Sequence, residues 1–154
     1  MNHQKALESL RRQVEESERV RQDFYARNTE TLLSVAKLMG ECVGRGNKLL
    51  ICGNGGSAAD SIHFSGEMIG RMMRERRPLP AIAIPSDISM LTAVGNDYGY
   101  EQVFSRAVEA FAQDGDILFA ISTSGKSPNV LKAVEAARRK SVKIVALTGN
   151  SGGP

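Results

Sequence analysis

The sequence has no tryptophan, only two cysteines and an aromatic content of 5% in 154 residues. A disulfide framework needs more cysteines than Cys42 and Cys52, which both lie in apolar segments, so we expect reduced thiols and a cytoplasmic location. A signal peptide and an apolar run of about 18 residues are also lacking, which predicts neither secretion nor a membrane span. Because aromatics are few and no nucleic-acid-binding motif is present, a nucleic-acid partner is not expected.

The rest of the composition is typical of one soluble domain with its own core. Apolar residues make up 42% of the chain and charged residues 24%, which argues against disorder. The net charge of +3 is small. It weakly favours anionic partners, and a phosphorylated metabolite is one such partner.

Apolar runs alternate with helical patterns in most of the chain. The runs 49–52, 81–84, 117–121 and 143–147 predict strands, and helical patterns occupy about 57–73, 87–94, 100–112 and 128–140. This alternation predicts an open parallel α/β sheet. Ligands bind such sheets beyond the carboxyl ends of the strands, where the strand order reverses. Two polar loops, 53–57 and 122–127, follow predicted strands in that position.

The N-terminal region is more polar and more regular. Residues 3–26 predict a charged helix with a thin apolar stripe, and Asn28 or Thr29 can cap a second helix that ends near Gly44. These N-terminal helices form an arm and a packing helix in residues 1–46, followed by the α/β domain in 47–154. A sparse stripe predicts a homo-oligomer contact; the alternative is a helix that lies over its own domain.

The glycine loop, residues 53–56, joins a buried strand to a helix. Gly53, Gly55 and Gly56 permit a tight turn and let a ligand approach the backbone closely. Ser57 is the predicted N-cap of the helix, whose free N–H groups attract anions.

The next helix carries a pair of polar side chains with the spacing of one turn. His63 and Glu67 leave the same face, so they can share a metal ion or transfer a proton. Alone, such a pair is better explained by a half-exposed helix surface. Its position beside a ligand-binding loop favours the functional interpretation, in which a buried Glu67 is a general base.

The serine loop, residues 122–127, is the second candidate site. It brings four hydroxyls between a strand and a helix start: Ser122, Thr123, Ser124 and Ser127. Pro128 suits the first helical position, and hydroxyls beside a helix N-terminus form a phosphate cradle. The glycine and lysine spacing of a P-loop is absent. The alternative is an ordinary polar loop.

Two further segments stay undecided from the residues alone. Asn96 and Asp97 predict a turn, which would touch a sugar only if it reaches the mouth of the sheet. A basic run before Pro78 predicts a solvated surface, with a subunit contact or substrate steering as alternatives. The run consists of Arg71, Arg74, Arg76 and Arg77.

Four motifs together resemble one family: CGNGGS, HFSGE, AVGNDYGYEQVFSR and ISTSGKSPNV. They are similar to those of the phosphoheptose isomerases, a branch of the sugar isomerase (SIS) domain superfamily. The resemblance implies a flavodoxin-like three-layer α/β/α sandwich, with four of the usual five parallel strands present, in a homotetramer with interfacial active sites. It implies conversion of sedoheptulose 7-phosphate to D-glycero-D-manno-heptose 7-phosphate through an enediol, for lipopolysaccharide or other surface polysaccharide. A zinc ion in each subunit is also implied.

The same resemblance assigns roles residue by residue. It implies that His63 and Glu67 bind zinc and that Glu67 is also catalytic. The implied substrate contacts are Asn54, Gly55, Gly56, Glu67, Asn96, Asp97, Ser122, Thr123, Ser124 and Ser127, of which the four hydroxyl residues hold the phosphate.

The sequence departs from the family pattern at its C-terminal side. Family members place a glutamine and a histidine, which complete the metal site and the acid/base pair, on a later helix. This sequence has only His3 and His63 and ends in a turn signal. We therefore expect a fragment of an isomerase, with the remaining zinc ligands beyond Pro154.

Two other functions compete with the isomerase. One is a non-catalytic SIS-domain protein that binds the bacterial replication initiator, and the other is a phosphosugar-sensing module. Glu67 four residues after His63, and a GGS rather than a GTS type of loop, favour the enzyme over the initiator-binding protein. A sensor would keep the serine loop without needing Glu67.

Overall fold

The computed structural model describes residues 3–149 and 152–153. One long helix, α1, spans His3–Gly44. The predicted division into two N-terminal helices is wrong, because Asn28 and Thr29 do not cap a new helix. Their side chains donate to the carbonyl oxygens of Phe24 and Tyr25, one turn earlier in the same helix. Neither proline nor glycine lies near them to end α1.

The chain divides into two compact units between Leu38 and Met39. The first unit is the arm of α1, in which the side chains of the predicted stripe are exposed, Leu10 by 58% and Val20 by 57%. The homo-oligomer therefore stays a prediction. No helix in the described ranges is long and apolar enough to cross a membrane.

The second unit contains a four-stranded parallel sheet. Its strands are β1 (Leu49–Gly53), β2 (Ala81–Ala83), β3 (Ile117–Ser122) and β4 (Lys143–Thr148). The order β2-β1-β3-β4 places the reversal of strand order between β1 and β3. All four predicted strands and their parallel arrangement are confirmed. The two central strands, β1 and β3, are buried apolar runs, which favour the interior of a parallel sheet.

Helices cover both faces of this sheet. They are α2 (Gly56–Ile69), α3 (Ile88–Tyr98), α4 (Val103–Phe111) and α5 (Pro128–Arg139), with 3₁₀ turns at Ile84–Ser86 and Tyr100–Gln102. Leu50 and Leu118 join the core formed by α4 and α5. On the other face, the ring of Phe119 contacts that of Phe64 in α2, with 5.4 Å between the ring centroids. The alternation of side chains along β3 thus confirms the three-layer α/β/α sandwich.

A buried carboxylate, that of Asp116, lies at the amino-terminal ends of the strands. Asp116 is 1% exposed and accepts from the backbone N–H and the ammonium of Lys48, at 2.9 and 2.6 Å, and from the N–H of Gln113 at 2.8 Å. Burial raises the pKa of Asp116, but these hydrogen bonds and the Lys48 charge lower it by more, so the carboxylate stays ionised.

The two cysteines are free and buried. Burial raises the pKa of the Cys52 thiol to about 12. Since the thiolate is the reactive form, Cys52 acts as a small apolar side chain of β1.

Strand β4 forms one edge of the sheet. It is mostly exposed, and Leu147 exposes 46% of its surface. Within the described ranges no strand pairs with the outer side of β4. Residues 150, 151 and 154 of the predicted terminal turn lie outside the described part of the chain.

Candidate active site

The glycine loop leads from β1 into α2 at the point of strand-order reversal. A Cβ atom on Gly53 would lie 2.6 Å from Cβ of Ser57 and 2.9 Å from the carbonyl oxygen of Ile121, so only glycine fits there. Gly55 has a φ of 53° and is the N-cap of α2, where it has no side chain to cap the helix. The predicted N-cap at Ser57 is therefore wrong: its N–H bonds to the Asn54 carbonyl oxygen within the first turn.

The serine loop follows β3, the strand next to β1. Ser122 and Ser127 lie at its two ends, and their hydroxyl oxygens are 3.2 Å apart. Ser127 is the N-cap position of α5 and Pro128 is its first residue, as predicted, although the Ser127 hydroxyl bonds to Ser122 instead of capping the helix. Thr123 and Ser124 are exposed at the tip. Two hydroxyls thus converge beside a helix start, which suits an anion.

The glycine loop is joined to the first turn of α5, directly after the serine loop, by a reciprocal pair of amide hydrogen bonds. Asn54 Nδ2 donates to Asn129 Oδ1 at 2.8 Å, and Asn129 Nδ2 donates to Asn54 Oδ1 at 2.8 Å. The hydroxyl of Tyr100 donates to the same Asn54 oxygen at 3.1 Å. Asn129 and Tyr100 were not predicted as site residues: both lie within the family motifs, but neither side chain alone indicates chemistry.

His63 and Glu67 lie on the same face of α2, as their spacing predicts. His63 Nε2 is 3.6 Å from Glu67 Oε1, and the two side chains are 79% and 40% exposed. They line a groove of about 300 Å³ together with Asp60, Phe64, Met68, Met72 and Arg76. Glu67 is expected to be buried if it is a general base, but the described residues leave it partly exposed.

The basic run is more ordered than predicted. Arg76 donates to the carbonyl oxygens of Glu67 and Met68 at 2.7 and 2.8 Å, so it caps the end of α2. Arg77 donates to the carbonyl oxygen of Val43 at 2.9 Å in the last turn of α1. The interpretation as simply solvated is wrong for the half-buried Arg76, because helix ends leave carbonyl groups that need donors, whereas Arg77 is exposed apart from its bond to Val43.

Asn96 and Asp97 lie in the last turn of α3, so the turn predicted there is wrong. The chain turns at Gly99, with a φ of 87°. Asn96 Nδ2 donates to Asp97 Oδ1 at 2.8 Å, and both residues are exposed. Their link to the glycine loop is indirect, through the following Tyr100.

The donor types at His63 and Glu67 suit zinc, since imidazole nitrogen and carboxylate oxygen are common zinc ligands. A zinc site needs further ligands, however. Within the described ranges no group of three or more histidine, cysteine, aspartate or glutamate side chains is placed to hold a metal. The residues therefore fit zinc in kind but do not by themselves form a complete site.

Comparisons with known proteins identify the family of the chain. The SIS domain family matches residues 13–149. The chain is 49% identical over 138 residues to the phosphoheptose isomerase of Nitratidesulfovibrio vulgaris, covering 90% of this chain and 66% of the relative. It thus spans slightly less than two thirds of the length of that relative.

Solved structures give the same result. A phosphoheptose isomerase from Neisseria gonorrhoeae superposes with a TM-score of 0.89 at 44% identity, covering 96% of this chain and 77% of the other. One from Francisella tularensis gives a TM-score of 0.93 at 40% identity, with coverage of 96% and 78%. The chain therefore belongs to the phosphoheptose isomerase family of SIS-domain proteins.

Proposed function

We propose that this chain carries the sugar-phosphate site and the general base of an isomerase that interconverts sedoheptulose 7-phosphate and D-glycero-D-manno-heptose 7-phosphate. The observation that carries the proposal is the hydrogen-bonded junction of the glycine and serine loops at the carboxyl ends of β1 and β3. Open α/β sheets bind ligands at this point. The relatives named phosphoheptose isomerase support a phosphorylated heptose as the ligand.

The two loops divide the work of binding. Hydroxyls of the serine loop and the N-terminus of α5 hold the phosphate, with Ser122 and Ser127 innermost and Thr123 and Ser124 at the tip. The glycine loop, with Asn54, Gly55 and Gly56, lies along the sugar. Asn96 and Asp97 contact sugar hydroxyls from α3.

The reaction moves protons without net oxidation. The Glu67 carboxylate takes a proton from carbon 1 of the ketose, which gives an enediol, and a proton is returned to carbon 2. A hydroxyl proton passes from the oxygen on carbon 1 to that on carbon 2, so the aldose forms with all atoms conserved. His63 and Glu67 lie about 10 and 16 Å of helix rise beyond Gly56. Both side chains therefore lie away from the loops at the start of α2, and the reacting carbons lie at the end of the sugar that is opposite to the phosphate.

Zinc and assembly complete the proposal. His63 and Glu67 supply two ligands, and the others come from outside the described residues. When bound, the metal polarises the substrate carbonyl. The active protein is a cytoplasmic homotetramer with sites at subunit interfaces, and its product serves heptose synthesis for surface polysaccharide.

The test compares the parent chain with Glu67→Gln and with Glu75→Gln, which changes an exposed glutamate beside Arg71. Aldose formation from sedoheptulose 7-phosphate and binding of the same sugar are measured in parallel. We expect Glu67→Gln to bind the sugar normally and to lose about 10²- to 10⁴-fold in turnover, and Glu75→Gln to resemble the parent. Turnover by Glu67→Gln at the rate of the parent would exclude Glu67 as the general base, and absence of sugar binding by the parent would contradict the proposal.

A further inference from the structure

Three segments of the chain meet at one atom, Oδ1 of Asn54. The atom accepts from Nδ2 of Asn129, at the start of α5, and from the hydroxyl of Tyr100, in the 3₁₀ turn after α3. Asn54 lies between β1 and α2. The chain positions of these residues are far apart, so their contact depends on the tertiary structure.

Asn129 is held firmly in this contact. It is 2% exposed, and its Oδ1 accepts both from Asn54 Nδ2 and from the N–H of Val130 at 3.0 Å. A buried amide that loses its hydrogen-bond partner is not rehydrated, so the free energy of removing it from water is no longer offset. Asn129 and Asn54 therefore favour a single relative placement of the two loops.

The glycine loop has no other side chain by which it could be held. Its remaining members are glycines, which have no side chain, and one of them, Gly55, is the N-cap of α2. The carbonyl oxygen of Asn54 accepts from the N–H groups of Ser57 and Ala58, at 2.9 and 3.3 Å, and so begins α2. A shift of Asn54 would therefore shift the start of the helix that carries His63 and Glu67.

We propose that Asn129 and Tyr100 are positioning residues, which hold the glycine loop through Asn54 at a fixed spacing from the serine loop. A ligand that spans both loops needs this spacing, whereas an anion on the serine loop alone does not. This consequence for the sugar rests on the proposed function, whereas the positioning of the glycine loop by Asn129 and Tyr100 is independent of it.

The first experiment needs no ligand and measures amide hydrogen exchange at Ser57 and Ala58. We expect exchange about tenfold faster in Asn129→Ala and about threefold faster in Tyr100→Phe. Tyr98→Phe is the matched control, because it removes a hydroxyl from a ring that contacts Arg106 and leaves Asn54 untouched. Unchanged exchange at Ser57 and Ala58 in both variants, or equally faster exchange throughout the domain, would overturn the proposal.

The second experiment measures dissociation constants for inorganic phosphate and for sedoheptulose 7-phosphate. Tyr100→Phe keeps its exposed ring and is expected to fold, so it is tested even if Asn129→Ala does not fold. We expect it to weaken binding of the sugar phosphate about threefold and to change phosphate binding by less than about 1.5-fold. Equal weakening of both ligands contradicts positioning. If the parent binds no sugar phosphate, the proposed function fails, and the exchange experiment still decides the role of Asn129 and Tyr100.

Discussion

The Nε2 atom of His63 lies 3.6 Å from Oε1 of Glu67, one turn further along α2. Both side chains face the same groove, so they can share one ion without a change in the helix. Two ligands from one helix hold zinc weakly compared with four. Within the described residues the pair does not by itself form a complete metal site.

Zinc affinity tests this pair directly. We expect His63→Ala to weaken the binding of Zn²⁺ to the chain about tenfold or more, because it removes the only nitrogen ligand of the pair. Isothermal titration calorimetry with zinc alone measures the affinity. His3→Ala, in the exposed arm of α1, should leave it unchanged. Unchanged zinc affinity in His63→Ala would show that zinc binds elsewhere.

The carboxylate of Asp116 should dominate the stability of one end of the sheet. Asp116→Asn places an amide against the donors of Lys48 and Gln113, so we expect the free energy of unfolding to fall by about 2–4 kcal/mol. Urea denaturation measures it. The control Asp114→Asn changes an exposed aspartate nearby and should have little effect.

The same residue predicts a dependence of stability on pH. The pKa of Asp116 is lower in the folded chain than its ordinary value of 3.8, because its hydrogen bonds and the Lys48 charge outweigh burial. Its stabilisation is therefore complete above about pH 4 and is lost as the pH falls through the folded pKa. Denaturation between pH 5 and pH 3 should show a smaller loss of stability for Asp116→Asn than for the parent. Identical slopes would refute this assignment.

Gly53 and Gly56 of the glycine loop differ in the space available for a Cβ atom. Gly53→Ala would bring a Cβ atom to 2.6 Å from Ser57 and 2.9 Å from the backbone of Ile121, and we expect it to destabilise the chain by about 2–3 kcal/mol. A Cβ on Gly56 meets nothing within 4 Å, so Gly56→Ala should be neutral or stabilising by up to about 1 kcal/mol. Thermal unfolding of both variants gives the comparison. Similar effects would show that the turn adapts.

The cap that Arg76 provides should stiffen the turn that bears Glu67. Arg76→Lys keeps the charge but cannot reach two carbonyl oxygens with the fixed fork of a guanidinium, so we expect exchange of amides in the last turn of α2 to rise about threefold. Arg74→Lys, at an exposed position, is the control. If the two variants exchange alike, the cap does not order α2.

The sequence by itself determined the elements of the fold. Short apolar runs predicted all four strands within a residue of their bounds, and the glycine and serine loops were placed correctly after β1 and β3. These features depend on local properties: hydrophobic periodicity, glycine conformation and proline at a helix start. The pairing of His63 with Glu67 belongs here too, because the geometry of one helix turn fixes it.

Only the tertiary structure decided which polar groups satisfy one another. Asn54, Tyr100 and Asn129 meet because β1 and β3 are neighbours and α3 leads back to their ends, which no local pattern encodes. The same reason explains the error at Arg76, since a guanidinium can bond to any acceptor within reach. The error at Ser57 is local, because the N-cap lies two residues earlier, at Gly55. Sequence patterns identify the chemistry of such groups, and the packing of distant segments selects their partners.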